Sequence, residues 1–353
     1  MSKTKVIYHA IDLDGWCSAA IAAKYYRETG EEFTMIGYNY GDSVPKFKKD
    51  DKIVMLDISF QIETMIKFQK QIVWIDHHKS AIIAAAESGV EFEGKLPVKT
   101  YSEDGQLTNI QTIAACELAW EYFYPEIPIP QAVRLLGKYD SFRFDRKTEM
   151  YVLYFQFAAR TYIDSPCGCN QLFGRFYNTA PWIRQGELIY KYLCMEAKAA
   201  VDEIGFALEI AGYNFLAINK SRFNLASFGI DYHSMGYDGV ACFHYSGRSW
   251  VFSFYNENGE VDCSEIAKEF GGGGHAGAAG CRMNHNQFVT LLQGIDTWLT
   301  TNGDVEAEDP ALLGEQEATP AVTPTVTPAV DGEEIIEGTT EEITPEEPAN
   351  PTD

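Results

Sequence analysis

The chain has little positive charge. Its 353 residues include 28 Lys and Arg against 51 Asp and Glu, for a formal net charge of −23. Residues 301–353 contain 15 of these acids and no Lys or Arg, so the first 300 residues carry a net charge of −8. Proteins that hold long nucleic acids by their phosphates need a basic surface. We therefore expect no long double-stranded nucleic acid as a partner, although a local pocket for a short anionic substrate stays open.

The sequence also lacks a secretory signal and any apolar run long enough to cross a bilayer. Its eight cysteines are scattered along the chain. Cysteines in this pattern are typical of reduced thiols, so we expect a cytoplasmic protein with no membrane partner. The pair Cys167 and Cys169 has no second Cys/His pair nearby at zinc spacing, which makes a metal or redox site there the less favoured interpretation.

Short apolar runs alternate with helical patterns in the first half of the chain. The runs predict strands at 6–11, 33–38, 53–56 and 72–75, and helical spacing predicts helices at 18–27, 61–69, 108–123 and 133–139. This alternation predicts an α/β fold with a Rossmann-like parallel sheet over residues 1–182.

The second half predicts a smaller α/β domain. A helical pattern without proline at 183–205 is interpreted as a connecting helix. Residues 206–300 contain predicted strands at 206–211, 215–218, 240–244 and 250–255 and predicted helices at 263–270 and 288–299. Residues 301–353 repeat Thr-Pro and then become Glu-rich, a composition that predicts a disordered acidic tail.

Metal-type ligands cluster where the predicted strands end. They are His9, Asp12 and Asp14 after the first strand, Asp57 after the third, Asp76, His77 and His78 after the fourth, and Asp140 after a helix. A lone strand-end Asp is usually a turn or helix-cap residue, and a lone His is often a core residue. Four clusters together favour a metal centre instead. Carboxylates and imidazoles suit Mn²⁺, with Mg²⁺, Co²⁺ or Zn²⁺ as competitors, and a bridging carboxylate could join two ions.

A glycine-rich stretch, GGGGHAGAAG at 271–280, is a second candidate site. Consecutive glycines let backbone N–H groups approach an anion closely. The stretch is neither a P-loop nor a dinucleotide fingerprint. A flexible linker is the alternative, but the preceding helical pattern and the following His275 favour substrate binding.

These motifs, in this order over residues 1 to about 300, resemble the DHH phosphoesterase family. The similarity is to the subgroup with a C-terminal DHH-associated domain of the first type, which includes nanoRNase/oligoribonuclease and RecJ-like proteins. The resemblance implies an N-terminal domain that holds two divalent ions, usually manganese, and a smaller C-terminal domain that holds the distal part of the substrate.

The resemblance also implies a role for each matching residue. His9 and Asp12 would bind one ion and Asp14 the other, while Asp57 would bind both. His77 and Asp140 would complete the second ion, and His78 would contact the scissile phosphate or orient the nucleophile. The far phosphate or nucleoside would be bound by Gly273, Gly274 and His275. Apart from the resemblance, we interpret Asp76 as a residue that orients the imidazoles or ligands around it. Asp57 and His78 are thus the predicted catalytic residues.

Two features depart from the family pattern. The gap from His9 to Asp12 is three residues, where many relatives have His two or four residues before the first metal-binding Asp. In addition, Tyr255 stands where many relatives carry Arg, with Arg248 nearby in sequence as a candidate substitute. A tyrosine can stack on a base or donate to a phosphate, but it cannot make a bidentate charged contact. We therefore include Tyr255 among the predicted substrate-binding residues.

The predicted reaction is hydrolysis of short oligonucleotides, or of linear or cyclic dinucleotides, by water activated between two metal ions. Three alternatives stay open: an exopolyphosphatase or related phosphoanhydride hydrolase, a processive single-strand exonuclease of the RecJ type, and a non-catalytic protein that sequesters a nucleotide. A homodimer is also left open.

Overall fold

The first sheet has five strands, all parallel. They are β1 (Thr4–His9), β2 (Phe33–Tyr38), β3 (Lys52–Leu56), β4 (Ile72–Ile75) and β5 (Glu93–Lys95). The computed structural model describes residues 3–102, 104, 107–174, 177–221, 223–257 and 259–292. The strands lie in the order β2-β1-β3-β4-β5, with parallel pairing throughout. The order reverses between β1 and β3, and doubly wound sheets bind ligands at such a reversal, beyond the carboxyl ends of the strands.

Helices cover both faces of this sheet. The helices of this half of the chain are α1 (Leu13–Thr29), α2 (Ile62–Lys67), α3 (Lys79–Ser88), α4 (Ala115–Phe123), α5 (Gln131–Asp140) and α6 (Tyr151–Tyr162). One hydrophobic core lies between the sheet and the α1/α4 side, and another lies on the α2/α3 side. All four residues of β4 are buried, as expected for a strand covered on both faces.

The predicted helix at 108–123 is wrong in its first half. Two short strands, β6 (Lys99–Tyr101) and β7 (Leu107–Ile110), pair antiparallel, and α4 begins only at Ala115. The β-branched Thr108 and Ile110 suit a strand. The helix starts where the backbone amides of Ala115 and Cys116 donate to the Asp14 carboxylate. A contact with a residue about a hundred positions earlier therefore sets the helix start.

A long helix, α7 (Ala180–Ile204), precedes the second sheet. The remaining elements are β8 (Phe206–Ile210), β9 (Tyr213–Ile218), β10 (Gly239–Tyr245), β11 (Trp250–Tyr255), α8 (Cys263–Glu269), β12 (Gly273–His275) and β13 (Ala278–Met283). The sheet order is β12-β13-β11-β10-β9-β8, and only β9 and β10 pair in parallel among these strands. The predicted α/β class, with a parallel sheet and a second sheet domain, is confirmed.

The second sheet shares a core with the helices before it. Leu153 and Phe157 of α6 and Tyr190 of α7 belong to the same buried cluster as Leu216 and Val240 of the sheet. Residues 285–292 are helical. The rest of the predicted helix at 288–299 and the whole predicted tail at 301–353 lie outside the described residues. Among the helices of the described chain, none combines the length and the hydropathy needed to cross a membrane.

The start of α1 lies directly against the end of β1. A Cβ atom added at Gly15 would lie 2.1 Å from the carbonyl oxygen of His9, so no larger residue fits without moving the backbone. We expect Gly15→Ala to destabilise the protein by about 1–3 kcal/mol, because the overlap is with backbone atoms. Thermal unfolding will measure the loss. Gly174→Ala is the matched control, since its nearest neighbour would lie at 3.9 Å. Equal unfolding temperatures for the two variants would contradict the expected overlap.

Candidate metal centre

Three neighbouring strands deliver the predicted ligands to one edge of the first sheet. His9 is the last residue of β1, Asp57 directly follows β3, and Asp76, His77 and His78 follow β4. Asp57 has a φ of 58°, in the left-handed region that few residues other than glycine adopt. Its backbone N–H donates to the carbonyl of Ile75 at 2.9 Å. The chain therefore turns sharply at Asp57, and such strained residues cluster at functional sites.

Two groups of donor atoms meet at the Asp57 carboxylate. His9 Nδ1 lies 3.0 Å from Asp12 Oδ2 and 3.5 Å from Asp57 Oδ2. On the other side, His77 Nε2 lies 3.2 Å from Asp57 Oδ1. These contacts place one oxygen of Asp57 beside each group.

The second group contains Asp14, His77 and Asp140. His77 Nε2 lies 3.2 Å from Asp140 Oδ2 and 3.7 Å from Asp14 Oδ2. Three combinations of residues have donor atoms within 4.8 Å of one another. They are Asp14, His77 and Asp140; His9, Asp12 and Asp57; and Asp57, His77 and His78. The first two combinations together contain all six predicted ligands. The third shows that His78 also has the position of a ligand, so its role as a phosphate contact stays a prediction.

The charges and the unpaired atoms of this cluster fit bound cations. Burial and the charges of Asp14 and Asp12 raise the pKa of Asp57 well above its usual range. Burial alone would lower the pKa of His9, yet Asp12 and Asp57 raise it to about 10. Asp57 Oδ1 and Asp140 Oδ2 are buried and make no hydrogen bond. Such atoms are normally satisfied. Two divalent ions would balance the negative charge of the four carboxylates, Asp12, Asp14, Asp57 and Asp140. Metal binding would also displace the proton that these carboxylates favour on His9.

Helix ends hold two of the four carboxylates in place. Asp14 Oδ1 and Oδ2 accept hydrogen bonds from the backbone N–H groups of Cys116 and Ala115 at the start of α4. Asp12 is the N-cap of α1: its Oδ1 accepts from the Gly15 N–H at 2.9 Å while its Oδ2 faces His9. Asp12 thus fits both interpretations of a strand-end Asp, the helix cap and the metal-type donor. The contribution of α4 was not predicted, because no local pattern links residue 14 to residue 115.

Asp76 organises the two histidines that follow it. Its side chain is fully buried, and its Oδ1 accepts from the backbone N–H groups of His77 and His78 and from His78 Nδ1 at 2.7 Å. Its Oδ2 accepts from Trp74 Nε1 at 3.1 Å. With Nδ1 of His78 bonded to Asp76, Nε2 is the ring nitrogen left for a ligand or substrate. Burial would lower the pKa of His78, but Asp76 outweighs it and raises that pKa.

We expect Asp76→Asn to lower the turnover rate about 10–100-fold, because an amide cannot accept all four hydrogen bonds and His78 loses its fixed orientation. Steady-state hydrolysis at saturating metal will measure the effect. Asp262→Asn is the control, since Asp262 caps α8 and asparagine caps helices equally well. An unchanged rate in Asp76→Asn would show that His78 needs no such orientation.

The glycine-rich stretch lies at the metal-type cluster. The ring of His275 stacks on that of His78, with centroids 5.3 Å apart, and lies 5.9 Å from that of His77. His275 ends β12, which contains Gly273 and Gly274 and forms a hairpin with β13. A Cβ atom at Gly274 would lie 2.5 Å from the Cα of Ala279, so the two strands approach closely there. The structure therefore brings this predicted substrate segment next to the cluster.

Tyr255 and Arg248 lie at opposite ends of β11. Tyr255 is the last residue of the strand and packs against the same core as Tyr139, and burial raises the pKa of Tyr255 to about 12. Arg248 precedes the strand. The strand itself, from Trp250 to Tyr255, is roughly 16 Å long, because each of its five steps adds about 3.3 Å. Arg248 therefore cannot take the place of an arginine at the Tyr255 end.

Tyr40 is a residue at this site that the sequence did not point to. Its ring lies 6.0 Å from that of His9 and 5.8 Å from that of His78, and the residue is 55% exposed. It follows β2, which pairs in parallel with β1 and so ends at the same edge of the sheet. That position after a strand end was the available signal.

The family model described as "DHH family, N-terminal domain" matches residues 3–136. These residues are a DHH-family domain. The prediction of a DHH-family domain is confirmed for this segment. The matched segment of the DHH domain includes His9, Asp12, Asp14, Asp57 and the Asp76–His78 triplet. It ends before Asp140 and His275, so the placement of these two residues rests on the geometry above.

A curated relative and several solved structures are similar to longer parts of the chain. "Uncharacterized protein R106" of Acanthamoeba polyphaga mimivirus is 22% identical over 306 residues, which cover 78% of this chain and 66% of that protein. The chain thus spans just under two thirds of the length of this relative.

Among solved structures, the pGpG-specific phosphodiesterase PggH of Vibrio cholerae is 13% identical to this chain, with a TM-score of 0.45. The match covers 86% of this chain and 100% of the PggH chain. An exopolyphosphatase-related protein of Bacteroides fragilis is 12% identical, with coverages of 85% and 93% and a TM-score of 0.46. RecJ of Thermus thermophilus in complex with Mn²⁺ is 10% identical, with coverages of 85% and 52% and a TM-score of 0.46. Likenesses this distant identify no substrate.

Proposed function

We propose that this protein is a metal-dependent phosphoesterase that hydrolyses the phosphodiester bonds of short oligonucleotides or of linear or cyclic dinucleotides. The observation that carries the proposal is the position of Asp57. One of its oxygens faces His9 and the other faces His77, between two separate groups of donors. Two cations on either side of a shared carboxylate are suited to phosphoryl transfer.

The donor set suits two Mn²⁺ ions, with Mg²⁺ or Co²⁺ as substitutes. His9, Asp12 and Asp57 would hold one ion, and Asp14, Asp57, His77 and Asp140 the other. Such ions acidify water and offset negative charge on phosphoryl oxygens. Asp76 holds Nδ1 of His78, so Nε2 of His78 can contact a phosphoryl oxygen. The backbone N–H groups of Ala115 and Cys116 donate to both oxygens of Asp14 and so fix the orientation of this carboxylate at the centre.

The position of His275 supports a short substrate. Its ring stacks on His78, so a substrate bound at the centre also touches the second sheet. Gly273 and Gly274 precede it on β12, where exposed backbone can approach an anion. The net charge of −8 over the first 300 residues disfavours a long polyanion.

Three finer assignments remain proposals. All eight cysteines are unpaired, which supports a reducing, cytoplasmic location. We also propose the predicted domain boundaries: a DHH domain at 1–182, a connecting helix at 183–205, a second domain at 206–300 and a tail at 301–353. A homodimer remains open.

A substrate panel tests the proposed function. Di- to pentanucleotides, cyclic dinucleotides, long single-stranded DNA and polyphosphate are incubated with the protein and Mn²⁺, and the products are separated by chromatography. We expect mononucleotides from the shortest substrates. Faster phosphate release from polyphosphate would instead assign a phosphoanhydride hydrolase, and faster processive degradation of the long DNA a RecJ-type exonuclease. Tight nucleotide binding without turnover would assign a sequestering protein.

A further inference from the structure

The long helix α7 has an exposed apolar face as well as a buried one. Its Tyr190 and Ala197 are buried in the core that it shares with α6 and the second sheet. On the opposite face, Leu188, Tyr192 and Met195 are 70%, 60% and 71% exposed. Single exposed apolar residues are common on protein surfaces, but several large ones on one helix face are typical of an interaction surface.

The spacing of these residues is that of a coiled coil. Leu188, Tyr192, Met195 and the exposed Ala199 follow one another at intervals of four, three and four residues, as the a and d positions of a heptad repeat do. Leu188 and Met195 then occupy d positions, and Tyr192 and Ala199 occupy a positions. Such a narrow apolar stripe matches a single partner helix.

The two edges of this stripe differ in charge. The g positions, along one edge, are all basic and exposed: Arg184, Lys191 and Lys198. The e positions, along the other edge, are Ile189, Glu196 and Glu203. In a parallel pair of helices, each g residue faces the e residue of the next heptad in its partner. Lys191 would then face Glu196 of a second copy, and Lys198 would face Glu203. In an antiparallel pair the basic edges would face each other and repel.

Lys198 and Glu203 are free to make such a contact. Both are exposed, and neither has an ion-pair partner among the residues that the structure describes. Lys191 and Glu196 pair within the chain, with Glu187 at 2.8 Å and with Lys220 at 3.7 Å. Ion pairs this exposed are weak, so these two residues can exchange partners when a second helix approaches.

We propose that two copies of this chain pair through α7, with the helices parallel and a two-fold axis running along them. The pairing is independent of the proposed function. Because α7 is already held by its own core, pairing orders no new backbone. The stripe covers about 16 Å of helix. Tyr162 of α6, which is 48% exposed and donates to Oε1 of Gln185 at 2.6 Å, extends it at the preceding a position. An interface this small predicts a micromolar dissociation constant.

Sedimentation equilibrium of the full chain, at about 1 to 200 µM, tests the pairing. We expect a reversible equilibrium between monomer and dimer. Met195→Lys should raise the dissociation constant by about 100-fold, because both copies bury this side chain. Its unfolding temperature should equal that of the wild type at concentrations where both are monomers, since Met195 is 71% exposed. Val98→Lys is the matched control: Val98 is 66% exposed and lies outside α7, so this variant should pair as the wild type does.

Charge reversal tests the orientation of the helices. Lys198→Glu would oppose two acids on each side of a parallel pair and should weaken the dimer by about 5–10-fold. Adding Glu203→Lys reverses both charges and should restore the wild-type dissociation constant. In an antiparallel pair, Lys198→Glu would bring an acid to a basic edge and strengthen the dimer instead.

Three results would overturn the proposal. They are a chain that stays monomeric at the highest concentration, a dimer that Met195→Lys leaves unchanged, and a dimer that Lys198→Glu strengthens. If the chain is monomeric, cosedimentation with vesicles of anionic phospholipid tests the other occupant of such a stripe. Binding to the vesicles that Met195→Lys abolishes would assign the stripe to a membrane surface and not to a second copy.

Discussion

Asp57→Asn will lower Mn²⁺-dependent hydrolysis of bis(p-nitrophenyl) phosphate by ~10³-fold or more, a larger effect than the 10–100-fold typical of residues that only orient a ligand. Asparagine offers one carbonyl oxygen where the carboxylate presents two, one toward His9 and one toward His77. Either orientation of the amide directs its NH₂ group at one of the two donor groups. The substitution therefore impairs both groups at once.

Stability measurements separate this loss from misfolding. Removing one of four crowded carboxylates relieves repulsion, so Asp57→Asn in a chelator should unfold at the wild-type temperature or higher. Asp50→Asn, at an exposed acid just before β3, should keep both the rate and the unfolding temperature. A variant Asp57→Asn that kept more than half of the activity would show that Asp57 is not the shared ligand.

Chelation of the metal will abolish hydrolysis and lower the unfolding temperature by about 5–10 °C relative to the protein in excess Mn²⁺. A ligand at a hundred times its Kd stabilises the folded state by about 2.7 kcal/mol, and each kcal/mol shifts the unfolding temperature of a domain of this size by roughly 2–4 °C. Metal should stabilise the folded state because, without cations, the buried Oδ1 of Asp57 and Oδ2 of Asp140 have no hydrogen-bond partner. Calorimetry with and without Mn²⁺ measures the shift.

Metal content gives the control for that shift. Elemental analysis should find two Mn²⁺ ions per chain in the wild type. It should find about one in Asp140→Asn, because Asp140 lies only in the group with Asp14 and His77. An unfolding temperature insensitive to Mn²⁺, or one ion in the wild type, would contradict the two-group arrangement.

The sequence predicted those elements whose signals are local. The strands at 33–38, 72–75 and 250–255 have the predicted bounds, because each is an apolar or aromatic run. The start of α4 could not be predicted, since it depends on Asp14, and β6 and β7 are strands because they pair with each other. The helix α6 was missed as well, because its aromatic residues have weak helix propensity and are stabilised by packing.

In the candidate site, too, local sequence patterns predicted some features, whereas features that depend on the folded chain could not be predicted. His9, Asp57 and His77 could be expected to converge because they follow strands of one parallel sheet, where the carboxyl ends meet. Their pairing into two groups could not be expected, since it depends on the turn at Asp57. Tyr40 was missed because its one signal in sequence, a position just after a predicted strand, is shared by many residues that have no role at a site.

The shared carboxylate of Asp57 also bears on how the protein responds to metal supply. A first Mn²⁺ would meet four acids, whereas a second would meet a partly neutralised cluster and a neighbouring cation, so we expect the second ion to bind more weakly. Over a range of metal concentrations the protein will hold a single ion and be inactive, and its activity will follow occupancy of the weaker position. Manganese availability, rather than the amount of protein, would then set how fast its substrate is consumed.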